Sequence, residues 1–276
     1  MTIIMDNKWL TDKTKAILDR MDPEVYPEAC EFLNGLIEDD SFCEYGPFGI
    51  ANELADADKD EEWTPEIVEY LEALYMEAIN AGDADAMNDL GAHYYDGHRG
   101  FEQSFDKAMK YYKMAAYNGS QVAQENLGYC YYYGRDGEPD YMKAFHYFAM
   151  GAFSGYLNSL YKIGDMYYNG YYVEKNLREA FVIYMRCLDM MTEEAERYVA
   201  GPVYLRLGKM FLNGYGVEKN LRSALTCFQK AEHFLYSMVV DDRNLMYKKS
   251  LEGAIEGQAK VREEMAKEIP EKDWLE

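Results

Sequence analysis

The residues able to do chemistry are few and scattered. Histidines stand at 93, 98, 146 and 233, and cysteines at 30, 43, 130, 187 and 227. His93 and His98 are five apart, off the i,i+4 spacing that puts two imidazoles on one helix face toward a metal. No full His/Cys/carboxylate set accompanies them. Asp56, Asp58 and Asp60 begin like a calcium loop. Glu61 then stands where the tight turn needs glycine, and Ile67 where a bidentate Glu should close the coordination. A solvated loop between helices is the better reading. The cysteines are odd in number and lack any CxxC pairing, so they read as buried, reduced thiols. No nucleophile elbow, phosphate loop or dinucleotide glycine fingerprint occurs. The expectation is a protein without metal, cofactor or catalytic residues, and not an enzyme.

Charge narrows the partners. The 276 residues carry a formal −22. Residues 1–90 hold 24 Asp or Glu against five Lys or Arg, and the remainder 26 against 23. Such a field repels phosphate backbones, which argues against nucleic acid and anionic membranes. There is no apolar run near the roughly 18 residues of a spanning helix. The start, MTIIMDNKWLTDKTK, lacks a basic segment followed by an apolar one. A cytoplasmic location is expected.

What positions these residues is a repeat. Leu90-Gly91, Leu127-Gly128, Ile163-Gly164 and Leu207-Gly208 are spaced 37, 36 and 44 by their glycines. Three residues after each glycine comes Tyr94, Tyr131, Tyr167 or Phe211, and six after comes Gly97, Gly134, Gly170 or Gly214. Sixteen or seventeen after comes Ala108, Ala144, Ala180 or Ala224, and four after the alanine comes Tyr112, Phe148, Tyr184 or Phe228. Residues four apart share a helix face. The first glycine costs its helix about 1 kcal/mol, tolerable where another helix must pass close. The second suits the left-handed residue that ends a helix. Ser104, Asp140, Asn176 and Asn220, four before the alanines, are N-cap types. Each unit therefore reads as helix, glycine stop, loop, cap, helix. The hexapeptide VEKNLR, present at 173–178 and 217–222, is the joint between two helices. In it Asn176 and Asn220 cap, Leu177 and Leu221 turn inward, and Val173 and Val217 anchor the loop. His93 falls where the other units place Cys130, Met166 and Met210, which predicts a packing role.

The pattern sets the expected organisation. Residues 1–46 form an N-terminal helical cap, with a helix near 24–37. Residues 47–82 form a degenerate unit, where Thr64-Pro65 is a cap followed by proline at the first helical position. Residues 84–235 hold four units, at about 84–119, 121–155, 157–192 and 200–235. Residues 236–276 form a C-terminal cap with one long helix near 243–268. The interval of 44 points to an insertion near Met190–Tyr198, expected as a longer second helix or an extra turn.

The motif LGxxYxxGxGVxxNxxxA, best seen in LGKMFLNGYGVEKNLRSA at 207–224, resembles the Sel1-like repeat, a relative of the tetratricopeptide repeat. The resemblance implies an all-α, right-handed superhelical solenoid of helix pairs acting as a scaffold or adaptor for protein or peptide partners. It implies that first helices line a concave groove. By tetratricopeptide geometry, Asn88, Tyr95, Glu125, Tyr129, Tyr132, Tyr133, Tyr161, Asp165, Tyr168 and Lys209 would face the partner. Tyrosine offers large contact area at low entropy cost. The alternative is an inhibitor or immunity-type protein that masks a basic partner through the acidic N-terminal units. A further alternative, a hydrolase of the β-lactamase-like branch, fits poorly, because that branch pairs cysteines in each unit.

Overall fold

The computed structural model of the chain describes residues 7–38, 45–57, 63–135, 137–192, 196–241 and 243–268. Among these residues there are thirteen α-helices and no strand. They are α1 (Asn7–Leu18), α2 (Pro27–Glu38), α3 (Gly46–Ala57), α4 (Pro65–Asn80), α5 (Ala84–Asp96), α6 (Phe105–Tyr117), α7 (Gln121–Tyr133), α8 (Tyr141–Phe153), α9 (Leu157–Asn169), α10 (Leu177–Met190), α11 (Glu196–Asn213), α12 (Leu221–Tyr236) and α13 (Lys248–Glu268). The chain divides into two compact units, Met1–Asp140 and Tyr141–Glu276.

The joint between paired helices is the same throughout. Helices α5, α7 and α9 end at Gly97, Gly134 and Gly170, all in the left-handed region. Ser104, Asn176 and Asn220 then accept from the N–H three residues ahead, at 3.4, 3.0 and 2.9 Å. The backbone N–H of each cap position also returns to the helix just ended. Ser104 donates to Tyr94, Asp140 to Tyr131, Asn176 to Tyr167 and Asn220 to Phe211, at 2.8–3.0 Å. So the capping residue ties off the carbonyls of one helix and the amides of the next. The duplicated hexapeptide is this clasp. Leu221 is buried, and Leu177 and Val217 pack on the apolar core of the second unit.

The glycines inside the first helices make room for the aromatics of the second. A Cβ on Gly91 would lie 2.8 Å from the Tyr112 ring, one on Gly164 2.7 Å from Tyr184, and one on Gly208 2.8 Å from Phe228. Two of the five sequence offsets are thus two sides of one contact. Without side-chain bulk at the glycine, the ring lies flat on the helix backbone, and the helices close to near contact.

Each unit adds elements of its own. In the first, α1 docks on α4 through Thr14. Its hydroxyl donates to the Leu10 carbonyl at 2.8 Å and receives the Tyr70 hydroxyl at 2.7 Å. Thr64 caps α4 with Pro65 as its first residue. In the second unit the insertion takes the second of its two expected forms, an extra turn. The second helix α10 stays 14 residues long, and the extra residues lengthen the following first helix α11 to 18. Pro202 lies within α11. Aligned on the repeat glycine, it falls in the first turn of the ordinary repeat helix; here a turn precedes it, so its missing N–H leaves the Tyr198 carbonyl without the i→i−4 bond. The added turn ahead of it is held by burial of Val199 and Ala200. The C-terminal helix starts later than expected. After α12 the chain makes a π-turn at Ser237–Asp241 and a tight 3₁₀ turn at Leu245–Tyr247, where the Asn244 side chain accepts from the Met246 N–H at 3.2 Å. Then α13 covers the exposed side of α12, with Gly257 against the same Phe228 ring that Gly208 meets.

Candidate partner-binding surfaces

In the first unit the expected residues lie on α5 and α7. Asn88 is buried; its amide donates to Asp89 at 3.1 Å and its carbonyl oxygen accepts from Asn126 at 3.0 Å. Its polar atoms are spent joining α5 to α7. Tyr95 is half-buried, edge-on to Phe105 at 5.3 Å, and its hydroxyl accepts from Arg135 Nε at 3.1 Å. The Arg135 guanidinium also lies over Phe105 at 4.6 Å and near Tyr133 at 5.7 Å, a cation held among three aromatic rings. Tyr129 and Tyr133 run parallel, with centroids 6.3 Å apart, and Tyr132 meets Tyr133 edge-on at 5.1 Å. Tyr133 remains 47% exposed, while Tyr129, Tyr132 and Glu125 are half-buried.

In the second unit the expected residues lie on α9 and α11. Tyr161 is buried and packs on Tyr184 with centroids 6.1 Å apart. Asp165 is only 2% exposed. Arg206 grips it with Nε at 2.8 Å and Nη2 at 3.3 Å, and the Tyr184 hydroxyl donates to it at 2.7 Å. Burial alone would raise this carboxyl; the Arg206 charge and its hydrogen bonds outweigh that and hold it below the ordinary carboxylate range. Asp165 therefore orders the α9–α10–α11 contact from within. Tyr168 and Lys209 are half-buried. Arg206 sits two residues before the repeat glycine, outside the offsets from which sequence reasoning drew the groove. The pairing of a buried Asp with a cation 41 residues away has no short-range signature.

One surface escaped sequence reading. In the second unit an apolar furrow of about 380 Å³ lies between α8 and α10 over α9, lined by Phe145, Phe153, Ile163, Ile183 and Met190 with Glu179 and Arg186. Phe153 on its wall is 95% exposed. In the first unit His93 joins a cluster instead of a metal site. It stacks on Phe101 at 4.7 Å, lies 5.5 Å from the Trp63 ring, and its Nε2 is 3.1 Å from the Tyr75 hydroxyl. Burial, with Arg99 nearby, lowers its pKa to about 4. Among the described residues no group of three or more His, Cys, Asp or Glu could hold a metal ion. The Asp58–Glu62 stretch and Cys43 lie outside the described residues. No helix described is long and apolar enough to cross a membrane.

Helix pairs of about 36 residues, each closed by a glycine stop and a side-chain cap, define a tandem-repeat α protein. The Sel1 repeat model matches residues 84–120, 121–155, 157–184 and 202–232, and the chain belongs to the Sel1 repeat family. The break between the third and fourth matches covers the segment where α11 is extended. Two solved structures share the solenoid fold. A Sel1 repeat protein from Oxalobacter formigenes is 20% identical over 79% of this chain and 86% of its own, with a TM-score of 0.58. The protective antigen c5321 of uropathogenic Escherichia coli, described as displaying an SLR fold, is 18% identical over 94% of this chain, with a TM-score of 0.57. The chain spans only 56% of that antigen's length. No curated protein matches by sequence. Proteins of this family generally serve as protein–protein interaction scaffolds.

Proposed function

We propose that the chain is a non-enzymatic scaffold that holds a protein or peptide against the first-helix faces of its repeats. The observation that carries this reading is the tyrosine cluster of α7. Tyr129, Tyr132 and Tyr133 are braced ring against ring, yet Tyr133 keeps nearly half its surface in solvent. Pre-ordered aromatics give contact area with little entropy left to lose, which is how interface anchors work. Tyr95 with Arg135 extends the patch along the first unit; Tyr168 and Lys209 belong to the equivalent face of the second. A reducing compartment, the cytoplasm, suits Cys30, Cys130, Cys187 and Cys227, which are buried free thiols. Burial pushes Cys187 up to about 12 and Cys227 to about 11, so neither is a ready thiolate.

The test is a photo-crosslinking amino acid placed at Tyr133 and, separately, at Tyr117, which is 92% exposed at the end of α6. In the native host, position 133 should capture a discrete partner that position 117 does not. Equal capture at both positions, or none at 133, would remove the α7 face from the interface. A second reading, masking of a basic protein, is favoured by the distribution of charge: residues 1–140 hold 31 Asp or Glu against 10 Lys or Arg. It expects capture of a strongly basic protein whose association rate collapses with salt.

A further inference from the structure

The second helix of each repeat turns one side to solvent, and the repeat alanine sets its register. In α12 the positions two, five, six and nine after Ala224 are Thr226, Gln229, Lys230 and His233, all exposed and all polar. The same positions in α8 hold His146, Ala149, Met150 and Phe153, and in α10 Val182, Met185, Arg186 and Asp189, again all exposed. Met142 on α8 and Met190 on α10 are exposed as well. Large apolar side chains therefore stand in solvent on both helices that wall the furrow over α9. One such residue in water is ordinary, but a patch of them marks an interaction surface. Two charges break it. Glu179 and Arg186 line the furrow from α10, and both are exposed. Seven residues apart, they lie on one side of the helix, about 10 Å from each other along its axis. Among the described residues neither side chain is engaged in an ion pair.

We propose that the furrow and the outer faces of α8 and α10 form a two-fold homodimer interface, covered by the same face of a second copy. The charges select that occupant. A two-fold axis crossing α10 near Val182, midway between Glu179 and Arg186, lays the helix antiparallel on its counterpart. Glu179 then meets the second copy's Arg186, and Arg186 the second copy's Glu179. A patch with one charge of each sign, placed evenly about its centre, complements itself, which is the condition for an isologous contact. By the repeat register, the same axis carries the exposed Phe153 of one copy over the Phe145 end of the other's furrow, apolar onto apolar. The distribution of charge agrees. Residues 141–276 hold 19 Asp or Glu against 18 Lys or Arg, so two second units approach without general repulsion. The interface uses second helices, whereas the scaffold reading uses first helices, and neither depends on the other.

The test is sedimentation equilibrium of the full chain over a concentration series at physiological salt. The wild type should be dimeric at about 100 μM. Phe153→Asp should weaken association about tenfold or more. Tyr117→Asp, at the matching exposed position of α6, should leave the dimer unaltered. Glu179→Arg and Arg186→Glu should each weaken it about tenfold or more, because symmetry makes every like-charge contact twice. Mixed in equal amounts, these two variants should form a heterodimer, since each contact then joins opposite charges again. That recovery also shows that both variants are folded. A wild type that stays monomeric at this concentration, a dimer indifferent to Phe153→Asp, or a mixture that remains monomeric would each overturn the interface. A monomeric wild type whose crosslinker at Met150 captures a different protein would give the face to a foreign partner instead. Capture at position 133 reads the α7 surface and dimerisation reads this one, so either can fail while the other stands.

Discussion

At the scale of single residues, two positions make the sharpest tests. Gly164 faces the Tyr184 ring, whose hydroxyl is fixed on Asp165. Alanine would gain up to about 1 kcal/mol of helix propensity. Its methyl, however, would enter a ring that cannot swing aside, and overpacking costs about 1–3 kcal/mol. Gly164→Ala should therefore destabilise by about 1–2 kcal/mol in urea unfolding. Combining it with Tyr184→Leu should cost less than the two separate losses added together, because the clash is shared. His93 tests pH. Its proton affinity is depressed from 6.5 to about 4, so the folded state favours the neutral ring. Its contribution to stability is intact above about pH 6.5 and is lost as pH falls toward 4, by about 3 kcal/mol at most. His93→Phe should flatten that part of the stability–pH curve. Equal slopes in the two proteins between pH 6.5 and 4 would mean that the cluster accommodates the charged ring.

At the scale of elements, the clasp between helices carries most of what the sequence made legible. The glycine stops and the caps were readable because they recur at fixed offsets with a steric or hydrogen-bonding cause; that the second-helix aromatic is what fills the space beside the repeat glycine was not. Asn220→Ala should lower stability by about 0.5–2 kcal/mol, the ordinary worth of a cap, and leave partner binding intact. The loop also contains a contrast. Gly216 and Tyr172 occupy equivalent places in the two copies, both with left-handed backbone. A Cβ on Gly216 would lie 2.2 Å from the Leu177 carbonyl oxygen, whereas Tyr172 leans on Phe145 with ring centroids 5.5 Å apart. Gly216→Ala should destabilise by more than about 1 kcal/mol. Tyr172→Gly should be near neutral, because relief of left-handed strain offsets the lost ring contact. Thermal unfolding of the pair checks both. The elements that escaped sequence reading lack such offsets. α1 is tied to α4 by a Thr14–Tyr70 hydrogen bond between residues 56 apart, and the extension of α11 hides behind a proline that reads as a helix start. Within the candidate groove the tyrosines of α7 were legible as a partly open cluster. Asn88, Tyr161 and Asp165 turn inward because their partners come from neighbouring helices that no local pattern names.

At the scale of the whole molecule, charge is segregated along the chain. Residues 1–140 carry a formal −21 and residues 141–276 a formal −1. Self-repulsion weakens a folded unit and is screened by salt, with a range of about 10 Å at 0.1 M. Raising salt from low to physiological strength should therefore protect amides of the first unit against hydrogen exchange more than those of the second. A uniform response along the chain would mean that local ion pairs, such as Arg20 with Glu66 and Glu69, already neutralise the first unit's field. The duplicated clasp reaches beyond stability to inheritance. Asn176 and Asn220 stand at matching seams 44 positions apart, each tied in the same way to the helix before and the helix after. A gene in which unequal crossing-over had copied residues 177–220 in frame would encode a chain longer by one complete module. Its Gly208 would meet a second Tyr184, the partner that Gly164 already accepts. Such a protein could change length, and with it reach, in a single genetic step without inventing a new seam.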